Sequence, residues 1–444
     1  MTSASTFLHS KSFSLKSRQK IFPFLNLQIK KVNYAKNMKL ENGSSINRKQ
    51  KRRIIAIAAG GTGGHLFPAL VVAKRMLEEG YKVIFFSDKR AMRFLKDDNP
   101  IFTFDAFKVV MLGSQNAPRW KQFFMIIKDM LKCRIIFTER ASLCIGFGGL
   151  ISFPPMLFSI LTFKKTIIYD PNSVFGLANR LLAPFVNLIL LGFHNTEKVS
   201  KIYKRKCIFI GGIVRDEIKS LVYNMDNPSV NYRAFFKIED VINITILGGS
   251  QAASVFDKVI PEALAALPND ITNKLFVRHQ CKAGNEDIVE NRYMAAGIAH
   301  EVRPFYHNVA EIMRGSHLLI ARSGANTMFE IMALGVPSIL IPLPTAADDH
   351  QFLNAKALRD VNGAILIEQN GITKEKLAGT ISHLLKHDFL LAEMSKIAHE
   401  QSDLYADMKF RTIINHMLGY DDNFDMGEIK LSNARYINNN TGIG

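Results

Sequence analysis

A chain of 444 residues, 48% of them apolar, is long enough for two or three domains with cores of their own. Its formal charge of +18 is lopsided: residues 1–53 hold 13 Lys or Arg against one acid, Glu41, which leaves only +6 for the other 391. A remainder this mildly basic, behind an arm that lacks interleaved aromatics at stacking positions, argues against a nucleic-acid partner. Cys133, Cys144, Cys207 and Cys281 form no C-x-x-C pair and have no histidine at ligand spacing, which argues against a metal centre.

In chain order, residues 1–52 read as a basic, disordered arm. They lack the apolar core of a secretory signal, although an organelle transit segment or an extension ahead of Met38 fits the same composition. Ile54–Ala58 then reads as a strand that runs into Gly60-Gly61-Thr62-Gly63-Gly64-His65, with a helical pattern from Leu66 to Glu79. Glycines at such a turn let backbone approach a ligand, and the amides of a helix start favour an anion. The run fits neither common nucleotide fingerprint. No Lys-Ser or Lys-Thr follows, and Leu66 stands where G-x-G-x-x-G needs its last glycine; Asp88, after the next strand, keeps a dinucleotide reading open.

Further strands are expected at Lys82–Ser87, Ile101–Phe107, Ser142–Gly146, Thr166–Tyr169, Leu188–Leu191 and Cys207–Ile210. The uncharged run Ile145–Phe163 has the length of a membrane span. Its glycines and paired prolines instead predict a strand end, a loop and a helix, so no transmembrane segment is expected. After a polar stretch, strands resume at Ile242–Leu247, Leu275–Arg278, His300–Arg303, His317–Ala321, Ser338–Ile341 and Ala364–Ile367. Helical spacing marks Asp257–Leu267, Asn326–Ala333 and His350–Asp360. This alternation predicts an α/β chain of two doubly wound, Rossmann-like lobes facing a central cleft. The residues after Gly419 are polar and Asn-rich and read as a disordered tail.

Two more glycine turns end strands, Gly146-Phe147-Gly148-Gly149 and Gly248-Gly249-Ser250-Gln251. A fourth segment, Arg322-Ser323-Gly324-Ala325-Asn326-Thr327-Met328-Phe329-Glu330, turns into a helix that Asn326 or Thr327 can cap. Glu330 then faces back toward the ligand, either to accept from a ribose diol or merely to support the cap. Asp348-Asp349-His350 invites a metal reading, but no further ligand at helical spacing supports it.

Taken together, these segments resemble the MurG-type N-acetylglucosaminyltransferases of peptidoglycan synthesis, which have the two-lobed GT-B architecture. The resemblance is carried by Gly60–Leu70, Gly248–Gln251, Arg322–Thr327 with Glu330, and Asp349-His350-Gln351 with Asn354-Ala355, and it runs from about 53 to 418. It implies inverting transfer of GlcNAc from UDP-GlcNAc to the MurNAc 4-hydroxyl of lipid I, giving lipid II, with no cofactor and no metal. It also implies peripheral association with the cytoplasmic side of a bacterial inner membrane.

By the same resemblance, residues 53–213 form an acceptor and membrane-side lobe and 214–400 a UDP-sugar lobe, and 401–419 form a helix that returns to the first lobe, before a tail over 420–444. Gly249 and Ser250 hold the diphosphate, Tyr306 with Phe305 contacts uracil, and Glu330 holds the ribose. Ala325, Asn326, Thr327, Met328 and Phe329 join this donor site, Gln351 binds GlcNAc hydroxyls, and Arg215 faces the phosphates. Thr62, Gly63, Gly64 and Asn172 line the acceptor side, and His65 is the expected general base, because an imidazole suits proton abstraction near neutral pH. His65 and Glu330 are thus the expected catalytic pair. The chain departs from the family where Tyr169-Asp170-Pro171-Asn172 replaces His-Glu-Gln-Asn, and where Gly211-Gly212-Ile213-Val214-Arg215 replaces Gly-Asn-Pro-Val-Arg.

The acceptor's lipid tail implies a membrane-facing surface. Arg119 to Phe137 fits it as one helix, with an apolar stripe of Trp120, Phe123, Phe124, Ile127, Met130 and Leu131 beside Lys121, Lys128, Lys132 and Arg134. A core-facing helix with solvated lysines is the competing reading. At this level another two-lobed UDP-sugar enzyme, such as a glycolipid synthase or UDP-GlcNAc 2-epimerase, and a non-catalytic nucleotide-sugar-binding protein also remain open.

Overall fold

A computed structural model describes residues 53–60, 63–91, 100–113, 119–223, 241–249 and 254–420. The basic arm, the tail, Thr62, Ser250, Gln251 and the side chains of Trp120, Lys121 and Phe123 lie outside the described residues.

Seven parallel strands form the first sheet: β1 (Ile54–Ala58), β2 (Lys82–Ser87), β3 (Phe107–Met111), β4 (Leu143–Gly146), β5 (Lys165–Asp170), β6 (Leu188–Leu191) and β7 (Cys207–Phe209). Their order is β3-β2-β1-β4-β5-β6-β7. Six more form the second: β8 (Ile242–Leu247), β9 (Leu275–Gln280), β10 (Ala299–Arg303), β11 (Leu318–Ala321), β12 (Ser338–Leu340) and β13 (Ile365–Leu366), in the order β10-β9-β8-β11-β12-β13. Both sheets wind outward from their first strand, so each reverses direction beside β1 or β8. That switch is where the carboxyl ends of parallel strands open a ligand crevice. The expected two-lobed α/β architecture is the one observed.

The strands are continuous apolar runs because helices cover both faces. Against one face of the first sheet lie the Gly63–Glu78 and Ala406–Leu418 helices. Phe410, Ile413 and Ile414 of the latter are fully buried among Ile55, Ile57, Tyr169 and Leu190. The last helix thus completes the first core, although it follows the second lobe in sequence. Phe147 stacks on Phe410 at 5.8 Å, and the Tyr169 ring meets Phe410 edge-on at the same separation.

Three expectations fail for local reasons. The Ile101–Phe107 alternation is a 3-10 turn (Pro100–Thr103), which Pro100 opens, and the strand begins only at Phe107; as a half-buried edge it carries a weaker pattern. The first-lobe stripe is two helices, Arg119–Lys132 and Arg134–Thr138, broken at Cys133. The helix after the first glycine run starts at Gly63, three residues earlier than the apolar pattern suggests. Ile145–Phe163 does resolve into a strand end, a 3-10 turn and the Phe153–Leu161 helix, whose Pro154 and Pro155 sit in the first turn, where no N–H is needed. Among the described residues no helix is long and apolar enough to cross a membrane.

Candidate active site

The first turn of the Gly63–Glu78 helix contains Gly63, Gly64 and His65, so its unbonded amides and the imidazole share one helix end. Pro68 lacks the N–H that would bond the Gly64 carbonyl, leaving that carbonyl without its helical donor. His65 rests on the second glycine turn. A methyl group on Gly148 would lie 3.1 Å from His65 Nε2, and one on Gly149 would lie 3.5 Å from Nδ1. Both glycines have left-handed φ, +91° and +75°, so the turn needs glycine for its backbone as well as for the imidazole's space.

Asp170 ends β5 beside this histidine and is 2% exposed. Its Oδ2 accepts from Gly176 N (2.8 Å) and Asn179 Nδ2 (2.9 Å), and its Oδ1 accepts from Asn172 N (3.1 Å). Burial pushes the His65 pKa below the ordinary histidine value. The Asp170 charge pulls it back up, and the His350 imidazole on the second lobe disfavours a second positive charge. Burial wins, so His65 is held neutral, the form that accepts a proton.

The second lobe closes on this helix end directly. Asn326 Nδ2 donates to the Gly63 carbonyl at 2.7 Å. Asn326 is therefore not the helix cap; Gly324 occupies that position, and no side chain bonds there. Asn354, fully buried, ties the lobes a second time. Its Oδ1 accepts from Ser173 N (2.9 Å) and Ser173 Oγ (2.7 Å), while its Nδ2 donates to Ser323 O (3.1 Å) and Asn172 Oδ1 (3.3 Å).

Arg215 and Glu330 meet. Arg215 Nε and Nη2 both reach Glu330 Oε1, at 2.9 and 2.8 Å, and the guanidinium also lies over the Phe67 ring. Burial raises the Glu330 pKa, and Arg215 opposes that rise. Gln351 Oε1 accepts from Leu343 N at 3.0 Å, while Ser323 Oγ donates to the Gln351 carbonyl, so this glutamine pins the loop after β12. Tyr306 is 3% exposed, and its hydroxyl donates to Glu301 O, which shapes the loop after β10. Gly249 has a left-handed φ of +76° at the end of β8.

Two of the expected donor-site residues turn their side chains away from the cleft. Met328 and Phe329 point their side chains into the core shared with Val214 and Ile218, not into the cleft. They occupy the inward positions of a helix whose outward positions include Thr327. Ala325 is likewise 4% exposed. Asp348, on the loop that invited a metal reading, pairs with Arg180 Nη2 (2.5 Å) and Lys198 Nζ (2.6 Å) of the first lobe.

Asp170, Asn179 and Asn354 carry much of this geometry without being expected to. Asp170 had a visible signal, a carboxylate at a strand's carboxyl end, but it lies in a segment read as a departure from the family. Asn179 lies only nine residues from Asp170 but carries no motif signal of its own, and for Asn354 the first-lobe partners lie far away in sequence.

Residues 55–191 match the glycosyltransferase family 28 N-terminal domain, and 243–415 match the family 28 C-terminal domain. The UDP-N-acetylglucosamine--N-acetylmuramyl-(pentapeptide) pyrophosphoryl-undecaprenol N-acetylglucosamine transferase of Granulibacter bethesdensis is 35% identical over 361 residues, 80% of this chain and 91% of that protein. The chain belongs to this transferase family. The Bartonella henselae member is 32% identical over 362 residues, again 80% of this chain and 91% of its own length. Among solved structures, MurG of Acinetobacter baumannii superposes with a TM-score of 0.65 at 27% identity, covering 82% of this chain and 99% of that one. Both family domains span the cleft: the first contributes His65 and the glycine turns, the second Asn326, Glu330 and Gln351.

Proposed function

We propose that this chain transfers GlcNAc from UDP-GlcNAc to the 4-hydroxyl of the MurNAc unit in undecaprenyl-pyrophosphoryl-MurNAc-pentapeptide, with inversion. The observation that carries the reading is the placing of the His65 imidazole against the Gly148-Gly149 turn, at the helix end that Asn326 of the second lobe bonds, in a chain whose two-lobed length aligns with family members. The acceptor oxygen attacks the anomeric carbon as the bond from that carbon to the UDP oxygen breaks. The hydroxyl proton passes to His65, and UDP leaves with the bonding pair. A positioned base of this kind is worth about 10²–10⁴ in rate.

The donor sits on the second lobe in this reading. Both Arg215 contacts fall on Glu330 Oε1, so Oε2 is the oxygen offered to a ribose hydroxyl. Arg215 is fixed in charge and lies where the diphosphate would leave, which suits it to stabilise UDP. The amides of Gly249, Ala325, Asn326 and Thr327, the hydroxyl of Ser250, the Phe305-Tyr306 backbone and Gln351 complete the donor side. Gly63, Gly64 and Asn172 face the acceptor, and the resemblance assigns Thr62 to the same side.

A membrane surface supplies the acceptor, and the first lobe is suited to meet one. Phe124, Ile127 and Leu131 are exposed on the Arg119–Lys132 helix. That helix packs beside the Phe153–Leu161 helix, which in turn packs beside Leu177–Leu182. The three together present Leu161, Phe163, Leu177, Leu181 and Phe185 to solvent, with Lys128, Lys132 and Lys164 among them. A core-facing Arg119–Lys132 helix would not leave these side chains in water.

The test incubates the full chain with radiolabelled UDP-GlcNAc and a lipid I analogue in anionic vesicles. Label in the lipid fraction supports the reading. Bound donor with no labelled lipid overturns the acceptor assignment, and label in a free 2-epimer or another lipid names the alternative.

A further inference from the structure

We infer that Phe329 is a positioning residue: a wedge that seats in a glycine-lined slot between the lobes and holds the Arg215–Glu330 pair in register for the UDP-sugar. The inference rests on the donor-site reading above. Phe329 directly precedes Glu330 on the Ala325–Leu334 helix, and its ring is 4% exposed. Gly212, three residues before Arg215, leaves space that the ring fills; any methyl group there would overlap the aromatic carbons. Gly192, at the end of β6, bounds the ring from the other side. A methyl group there would lie 2.9 Å from Phe329 Cζ and 3.0 Å from the Pro171 backbone. Phe193 packs against the ring at 5.1 Å, and a cavity of 260 Å³ opens beyond it toward Leu353 and Leu404.

The two glycines of the crossing segment have different reasons to be there. Gly211 has a φ of +91° and needs glycine for its backbone, whereas Gly212 is not among the left-handed residues. Its requirement is space for Phe329. A large ring on one lobe and a missing side chain on the other form a lock, with Arg215 on one half and Glu330 on the other. Removing either half shifts the carboxylate relative to the guanidinium, which changes donor binding before anything else.

The test is a double-mutant cycle of Phe329→Ala, Gly212→Ala and the pair, read as separate KM values for UDP-GlcNAc and for the lipid acceptor. Gly212→Ala alone expels the ring and raises the donor KM about tenfold, with the acceptor KM unchanged. Added to Phe329→Ala it has no further effect, because the clash is gone. If Phe329→Ala unfolds, Phe329→Leu with and without Gly212→Ala gives the same comparison at smaller amplitude, and thermal unfolding of each variant separates loss of fold from loss of register. Fully multiplicative effects, an unchanged donor KM in Gly212→Ala, or equal shifts in both KM values overturn the lock. A wild type that binds no UDP-GlcNAc overturns the donor-site reading and the lock with it, whereas a wild type that transfers normally while the cycle shows no coupling overturns the lock alone.

Discussion

Both sheets place their first strand inside and wind outward, β3-β2-β1-β4 in one lobe and β10-β9-β8-β11 in the other, yet their outer surfaces differ. On the second lobe Ile288 and Met294 share the Glu286–Ala295 helix, Phe389 lies on another, and Phe305 and Val361 are exposed elsewhere. On the first, Phe124, Ile127, Leu131, Leu161, Leu177 and Leu181 lie on three neighbouring helices, and Phe163, just past the second of them, is 96% exposed. Single exposed apolar residues are ordinary, whereas a contiguous set marks a contact surface. The cleft is split in a similar way. The first lobe brings His65 and two glycine turns, and the second brings Glu330 and amide groups suited to a nucleotide sugar. On the proposed reading one fold is used twice, once toward a membrane-borne acceptor and once toward a soluble donor.

That division can be broken at its catalytic end first. His65→Ala lowers kcat by about 10²–10⁴ while UDP still binds, as titration calorimetry would show; comparable turnover removes His65 as base. Because burial keeps the His65 pKa below the ordinary histidine value, the base is silenced only on the acid side of that value. The kcat profile is therefore flat at neutral pH and falls only on the acid side of the ordinary histidine value. A fall that begins above neutrality would assign the proton transfer elsewhere.

The complementary change is Glu330→Gln. It weakens UDP-GlcNAc binding by about 1.5–3 kcal/mol, the worth of hydrogen bonds to a charged group, and leaves the acceptor KM alone. Should the acceptor KM rise as well, the two lobes do not divide the substrates. A smaller effect is expected at the surface. Leu161→Lys with Phe163→Lys reduces co-sedimentation with uncharged phosphatidylcholine vesicles about tenfold, consistent with losing part of two apolar side chains' transfer energy. The same changes at Ile288 and Met294 leave sedimentation unaltered, and equal losses from both lobes would erase the contrast. Smallest of all is Asp348→Asn. It removes the ion pairs to Arg180 and Lys198 at partly exposed positions and costs within about 1 kcal/mol in thermal unfolding.

Much of this molecule is legible along the chain. The apolar runs from Ile54 to Ala58, Lys82 to Ser87, Leu188 to Leu191 and Ile242 to Leu247 are strands with the bounds their composition predicts. The glycine turns at Gly148-Gly149 and Gly249 take the left-handed φ that makes glycine informative. These features depend on residues a few positions apart, and so does the MurG-type motif order. Where local signals compete the reading slips, as at Pro100–Thr103, whose aromatic alternation imitates a strand.

The partners inside the cleft are a different matter. Asn326 reaches Gly63 across 263 residues, Asn354 reaches Asn172 across 182, and Arg215 reaches Glu330 across 115. No periodicity encodes such pairs. Sequence determined the two sheets, the glycine turns and the family; only the tertiary structure decided that Asn326 bonds the first lobe instead of capping its helix, and that Phe329 faces Gly212 instead of a ligand. The reason is physical. Helix and strand follow from backbone sterics and the alternation of apolar side chains, whereas contact between lobes follows from which surfaces remain to be buried once both have folded.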